Sequence, residues 1–219
     1  MRQPGGPELG ELEMDALREA GNLGSGRAAT ALSTLLGGPV SMDVPRAEIV
    51  DLAELAERLG SPEEMAAAVY FEVRGASPGR IVLLMDEGSV GHVLRRILGP
   101  APEQDAAGGA LSPGARSTLK EVGNIVCGSY VSSLAEWVGL TLTISVPALA
   151  FDMAACLIQS VAAEAAEDVG TALLLESRFR FDGQAVAIRL LFLPEAGSLE
   201  VLLSGMAKST GVDPRGRRG

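Results

Sequence analysis

Ser117-Thr-Leu-Lys-Glu121-Val-Gly-Asn124-Ile-Val-Cys-Gly128, followed by an apolar helical segment and Pro147, has a counterpart earlier in the chain. The counterpart is Asp15-Ala-Leu-Arg-Glu19-Ala-Gly-Asn22-Leu-Gly-Ser-Gly26, and it closes on Pro45. Subtraction gives one offset throughout: 121−19, 124−22, 128−26 and 147−45 are each 102. Leu17/Leu119, Gly21/Gly123, Leu32/Leu134, Gly37/Gly139 and Val44/Val146 match at that offset. The chain is therefore an internal duplication, and its two copies are read together.

Helical geometry turns the spacing into a surface. Successive residues rotate by about 100°, so Ser117, Glu121, Asn124 and Gly128 fall in a stripe about 60° wide. Asp15, Glu19, Asn22 and Gly26 form the same stripe in the first copy. Leu119, Val122, Val126 and Trp137 lie roughly opposite, as do Leu17, Ala20, Ala28 and Leu35 in the first copy. Each helix thus turns an apolar side to a core and offers an acid and an amide to solvent. A carboxamide donates and accepts, so it can hold and aim a water. A carboxylate three residues away can grip a cation or anchor a partner's lysine. Glycines cost about 1 kcal/mol each inside a helix. Gly21, Gly24 and Gly26 therefore suggest a smooth surface that another protein approaches closely. A single exposed Glu-x-x-Asn is an ordinary solvated face, whereas two copies at one offset mark a site.

The spacing Asp/Ser-x3-Glu-x2-Asn-x22-Pro, present twice, resembles the CheC family of bacterial chemotaxis, related to CheX and to the phosphatase part of FliY. Asp15, Glu19, Asn22 and Pro45 match one copy of the family motif, and Ser117, Glu121, Asn124 and Pro147 match the other. The likeness runs from about Glu11 to Met206 and includes Ser145-Val-Pro-Ala-Leu-Ala-Phe-Asp-Met153. It implies a phosphatase of phosphorylated CheY. In that family each Asn orients the water attacking the aspartyl phosphate, and each Glu pairs with a lysine of CheY. It implies no cofactor of the chain's own, with Mg2+ expected on the response regulator. It also implies a contact with the receptor deamidase CheD, for which Asp152, beside an exposed Phe151 or Met153, is the candidate. From its place before an apolar helical run, Asp152 reads first as a plain helix N-cap, and the contact is the alternative that the resemblance adds.

The remaining composition bounds the function. A formal charge of −10 over 219 residues argues against general affinity for nucleic acid or anionic membrane. Cys127 and Cys156 form no CxxC and sit in apolar runs, which fits buried, reduced thiols in a cytoplasmic protein. His92 is the lone histidine, so no histidine-based metal cluster or catalytic triad can be repeated in both halves. No stretch reaches the roughly 20 apolar residues of a membrane span. Gly21-Asn-Leu-Gly24-Ser-Gly26 follows no strand and lacks the P-loop lysine, so it is no phosphate loop. Ser25 has no histidine beside it and no twin in the other half, which excludes a nucleophile elbow.

The expected fold is α/β with α+β character: a pseudo-two-fold, largely antiparallel sheet packed with helices, including two long exposed motif helices. The first repeat spans 8–99, a linker rich in Pro, Ala and Gly spans 100–111, and the second repeat spans 112–208. The tail 209–219 reads as disordered. Within the first repeat, a helix is expected over Glu8–Leu36, a strand over Val40–Val44, a short extended piece over Glu48–Asp51 and a helix over Leu52–Leu59. Strands Ala67–Arg74 and Arg80–Met85 and a helix Ser89–Leu98 follow. The second repeat reads as a helix Ser112–Val138, a strand Thr141–Val146 and a helix Asp152–Ala166. Strands Thr171–Phe181 and Gln184–Leu193 then flank the turn Asp182-Gly183, before a helix over Ser198–Lys208. The expected protein is a monomer. A non-catalytic module that regulates CheD or stands near the flagellar switch is the competing reading, and the intact acid and amide in both halves favour the enzyme.

Overall fold

The computed structural model describes residues 11–43, 46–51, 63–100, 110–165, 171–195 and 197–209. Five helices are described: α1 (Glu11–Leu36), α2 (Glu87–Leu98), α3 (Pro113–Val138), α4 (Ala154–Ala165) and α5 (Ser198–Ser209). Eight strands accompany them: β1 (Ser41–Met42), β2 (Arg46–Asp51), β3 (Met65–Gly75), β4 (Gly79–Asp86), β5 (Leu142–Ile144), β6 (Ala148–Met153), β7 (Thr171–Phe181) and β8 (Gln184–Pro194). The expected helix over 52–59 and most of the linker lie outside the described residues, as does the tail from 210.

Local chemistry sets the helix ends. Ser112 caps α3 by accepting from the Ala115 N–H at 3.2 Å, and Pro113 opens the first turn without wasting a donor. Gly139 ends α3 at φ 66°, a left-handed position that suits glycine. The Leu140 N–H then reaches the Ala135 carbonyl at 2.9 Å and the Gly139 N–H reaches Glu136, a Schellman stop. Asp86 caps α2 by accepting from the Ser89 N–H at 2.7 Å. The turn Asp182-Gly183 has φ 50° and 75°, matching the twist of the β7–β8 hairpin.

All eight strands form one antiparallel sheet. Its order is β1-β7-β8-β4-β3-β5, with β2 also on β7 and β6 also on β3. At the centre β4 pairs with β8, placing Ile81 opposite Phe192 and Leu83 opposite Leu190. Outward from that seam the order is the same on both sides, which is the pseudo-two-fold. The repeats also exchange strands: β1 and β2 of the first pair with β7 of the second, while β5 and β6 of the second pair with β3 of the first.

The strands alternate between two cores, as a period of two requires. Ala67, Val69, Phe71, Ile81, Leu83, Ile188 and Leu190 join the core beneath α1, α2 and α3. Ala66, Ala68, Val82, Leu84 and Leu191 face α4 through Leu157, Ile158 and Val161. No helix among the described residues is long and apolar enough to cross a membrane.

Two expectations are corrected. The run before α4 is not loop and helix: Ala148–Met153 is strand β6, in register with β3 from Ala148↔Tyr70 to Met153↔Met65. Helix α4 accordingly starts at Ala154, not Asp152. The first-repeat strand is also shorter than expected, covering Ser41–Met42, with Val44 outside the described residues.

Candidate functional site

The two motif helices are equal in length, 26 residues each, and their ends differ by the same offset: 113−11 and 138−36 are 102. On α1, Leu17, Ala20 and Ala28 are buried; on α3, Leu119, Val122 and Val126 are buried. Leu35 and Trp137 are only partly buried and pack against that core. Glu19, Asn22, Ser117, Glu121 and Asn124 all point to solvent. None of these five is held by a hydrogen bond or ion pair among the described residues, so each acid and amide is free to meet a partner. Asp15 lies in α1 but its side chain is outside the described set, and Pro45 is outside it altogether.

The motif glycines serve the protein's interior more than its surface, correcting the expectation of a smooth docking face. A Cβ at Gly24 would lie 2.9 Å from the Tyr130 Cα, so glycine is what lets α1 close on α3. A Cβ at Gly123 would lie 2.8 Å from Cγ1 of Val69, so α3 sits directly on β3 there. Gly21 is buried too. Gly26 alone of the first-copy glycines fits the expectation, being exposed with nothing within 4 Å of a built Cβ. Asn124 therefore projects from a stretch of backbone that is pressed against the sheet through its neighbour.

Two side-chain contacts lock α1 to α3. Ser25 Oγ lies 2.6 Å from the Tyr130 hydroxyl in the buried contact. That places Ser25 in a structural bond and fits its exclusion as a nucleophile. Burial pushes the Tyr130 hydroxyl above its usual range, while hydrogen bonds to Ser25 and Ser177 pull the other way. On the surface, Arg27 donates twice to Glu136, at 2.9 and 2.7 Å. The hydrogen bond from Arg27, with its charge, holds the Glu136 carboxyl below the ordinary carboxylate range.

Pro147 lies in the loop between β5 and β6, and that loop runs beside the acid and amide of α3. At one end a Cβ on Gly128 would sit 3.7 Å from Ile144 Cδ1. At the other end Arg116 Nη2 donates to the Leu149 carbonyl at 3.0 Å. Between these contacts the helix covers twelve residues, about 18 Å, while the chain runs from opposite Val73 to opposite Val69, about 13 Å along β3, with the long Arg116 side chain spanning the difference. Residues 145–148 therefore pass alongside the part of α3 that carries Glu121 and Asn124. Ser145 fastens the loop: its N–H donates to the Glu72 carbonyl at 2.9 Å, and its Oγ accepts from the Glu72 N–H at 3.0 Å. Ser145 opens the stretch Ser145–Met153 that matches the family, but the sequence alone assigns it no role. Its counterpart Asp43, at the same offset, makes the equivalent backbone bond to Arg178 at 3.0 Å, and that pairing was the available signal.

Asp152 is exposed near the end of β6 and accepts from the Met153 N–H at 2.7 Å, so it is not the helix N-cap. Phe151 is partly buried against the main core rather than exposed, whereas Met153 is exposed. Cys127 is fully buried, which pushes its thiol up and makes it inert, and Cys156 is only partly buried. His92 on α2 stacks on Phe181, ring centres 4.4 Å apart.

Comparison with known proteins agrees with this geometry. The CheC-like family model matches the chain twice, over residues 12–49 and 115–150, which are the two motif helices and the strands after them. The chain is 30% identical over 202 residues to the CheY-P phosphatase CheC of Bacillus subtilis, covering 91% of this chain and 96% of that one. Among solved structures, Thermotoga maritima FliY superposes with a TM-score of 0.70 at 20% identity, covering 92% of this chain and 98% of that chain. A chain of the CheX-CheY-BeF3-Mg+2 complex of Borrelia burgdorferi superposes at 0.50 with 19% identity, covering 84% of this chain and 97% of that one. The two structural likenesses speak to the fold.

Proposed function

Because the chain belongs to the CheC-like family, we propose that it hydrolyses the aspartyl phosphate of a CheY-type response regulator. In this reading Asn22 and Asn124 orient the attacking water, and Glu19 and Glu121 dock to the regulator. The observation that carries it is the free, exposed Glu-x-x-Asn pair on both α1 and α3. The relationship to a CheY-P phosphatase over nine-tenths of the chain supports the substrate class.

The chemistry asked of the chain is small. Phosphoryl transfer depends mainly on positioning and on charge stabilisation. The regulator's own Mg2+ handles the charge, so this chain supplies position. An amide carries both donor and acceptor atoms and does not titrate near neutral pH, so Asn acts by orientation and not as a base. Holding the water in line with phosphorus lowers the entropic part of the barrier. The placement of Asn124 beside Gly123, which lies against Val69, suits a task that needs a fixed amide. The same reading takes the protein as a monomer that also meets CheD near Asp152.

The test is loss of the phosphoryl group from phosphorylated CheY with Mg2+ present. The expected outcome is acceleration that the Asn22→Ala, Asn124→Ala double variant removes, returning the rate to that of CheY alone. Acceleration that survives in the double variant rules out orientation by these amides. Binding to phosphorylated CheY without acceleration leaves a non-catalytic module.

A further inference from the structure

We propose that Val146 is an apolar docking residue of the second motif face, seating in an apolar patch of the response-regulator surface beside the phosphorylated aspartate. The inference rests on the phosphatase reading above and names a contact that the acid and amide do not supply.

Val146 is 88% exposed, while the next most exposed large apolar residue among the described ones, Leu23, is at 45%. Scattered exposed apolar residues are ordinary, but Val146 differs in how it is held and where it stands. Ser145 Oγ bonds the Glu72 N–H at 3.0 Å and the Val146 carbonyl at 3.0 Å. Pro147 fixes φ on the other side. A side chain held out on a backbone pinned at both ends loses little freedom on binding. Its loop lies along α3, with Ile144 against Gly128 at one end and the Arg116 side chain on the Leu149 carbonyl at the other, and Glu121 and Asn124 fall between those points in the helix. The chain also repeats the choice: Val44 precedes Pro45 as Val146 precedes Pro147.

The occupant follows from the neighbours. A partner that reaches Asn124 with its phosphoryl group and Glu121 with a cation brings its adjoining surface towards the β5–β6 loop, where Val146 stands exposed. Glu121 then contributes a salt-sensitive contact and Val146 a salt-insensitive one.

The experiment uses the full chain carrying Glu19→Ala and Asn22→Ala, so that the second face acts alone. Binding is titrated with beryllofluoride-loaded CheY and Mg2+, and turnover is followed with phosphorylated CheY. Val146→Ser should weaken binding about tenfold, the loss expected for one buried valine. The loss should persist at high salt and should fall on KM rather than kcat. Val146→Ile should bind as the parent does, and Asn124→Ala should bind while losing turnover. Thermal melts confirm folding, which an exposed site leaves intact. Parental binding by Val146→Ser overturns the inference and leaves the phosphatase reading standing. A parent that neither binds nor accelerates, while the unmodified protein does, overturns it as well, by placing docking on the first face. An unmodified protein that neither binds nor accelerates overturns both.

Discussion

Gly24 and Gly26 stand two residues apart on α1 and answer to different neighbours. Gly24 meets the Tyr130 backbone, which cannot step aside; Gly26 meets nothing within 4 Å. Gly24→Ala should therefore lose about 1–3 kcal/mol through overpacking. Gly26→Ala should gain up to about 1 kcal/mol from helix propensity alone. Chemical denaturation of the two variants checks this, and a stabilised Gly24→Ala would mean that the helices do not touch there. The stripe of acid and amide was legible in the sequence because a period of 3.6 residues assigns each position to a side of its helix. The glycine roles were not, since they depend on what crosses the helix: a tyrosine more than a hundred residues away, and Val69 beneath Gly123.

Between elements, the hold of α1 on α3 offers a choice between a buried bond and an exposed one. The Arg27–Glu136 pair has the better geometry, two short bonds, yet water surrounds it and screens it. The Ser25–Tyr130 pair is a single contact, but it is buried. Tyr130→Phe leaves the Ser25 hydroxyl without that partner and should cost about 1–3 kcal/mol. Arg27→Ala should leave the melting temperature nearly unchanged. Equal melting shifts for the two would show that the surface pair carries as much of the contact. Element reading from sequence succeeded where signals were local: the bounds of the second motif helix, expected over Ser112–Val138 and found over Pro113–Val138, and the Asp182-Gly183 turn rest on residues within a few positions. It failed at β6, whose Ala-Leu-Ala-Phe-Asp-Met has no clear alternation and becomes a strand by lying along β3. The duplication held the missing signal, since β2 at Arg46–Asp51 and β6 at Ala148–Met153 are again 102 apart.

For the whole molecule, the exchange of strands means that neither repeat has a complete sheet of its own. Residues 1–99 alone would lack β7, the partner of β1 and β2, and also β5, β6 and β8, which flank β3 and β4. The first repeat expressed by itself should show no cooperative thermal transition, and mixing it with residues 100–219 should restore one. A sharp, independent melt for either repeat, followed by circular dichroism, would contradict this.

The central pairing of β4 with β8 has a further consequence for heredity. In an assembly of two identical copies, every mutation strikes both surfaces at once, and neither can specialise. Joined in one gene, the two surfaces mutate separately, and this chain shows where they have drifted. Ser117 stands where the other copy has Asp15, Ile125 where it has Leu23, and Ser129 where it has Arg27. One surface is thereby free to change its taste for partners while its twin keeps the inherited task.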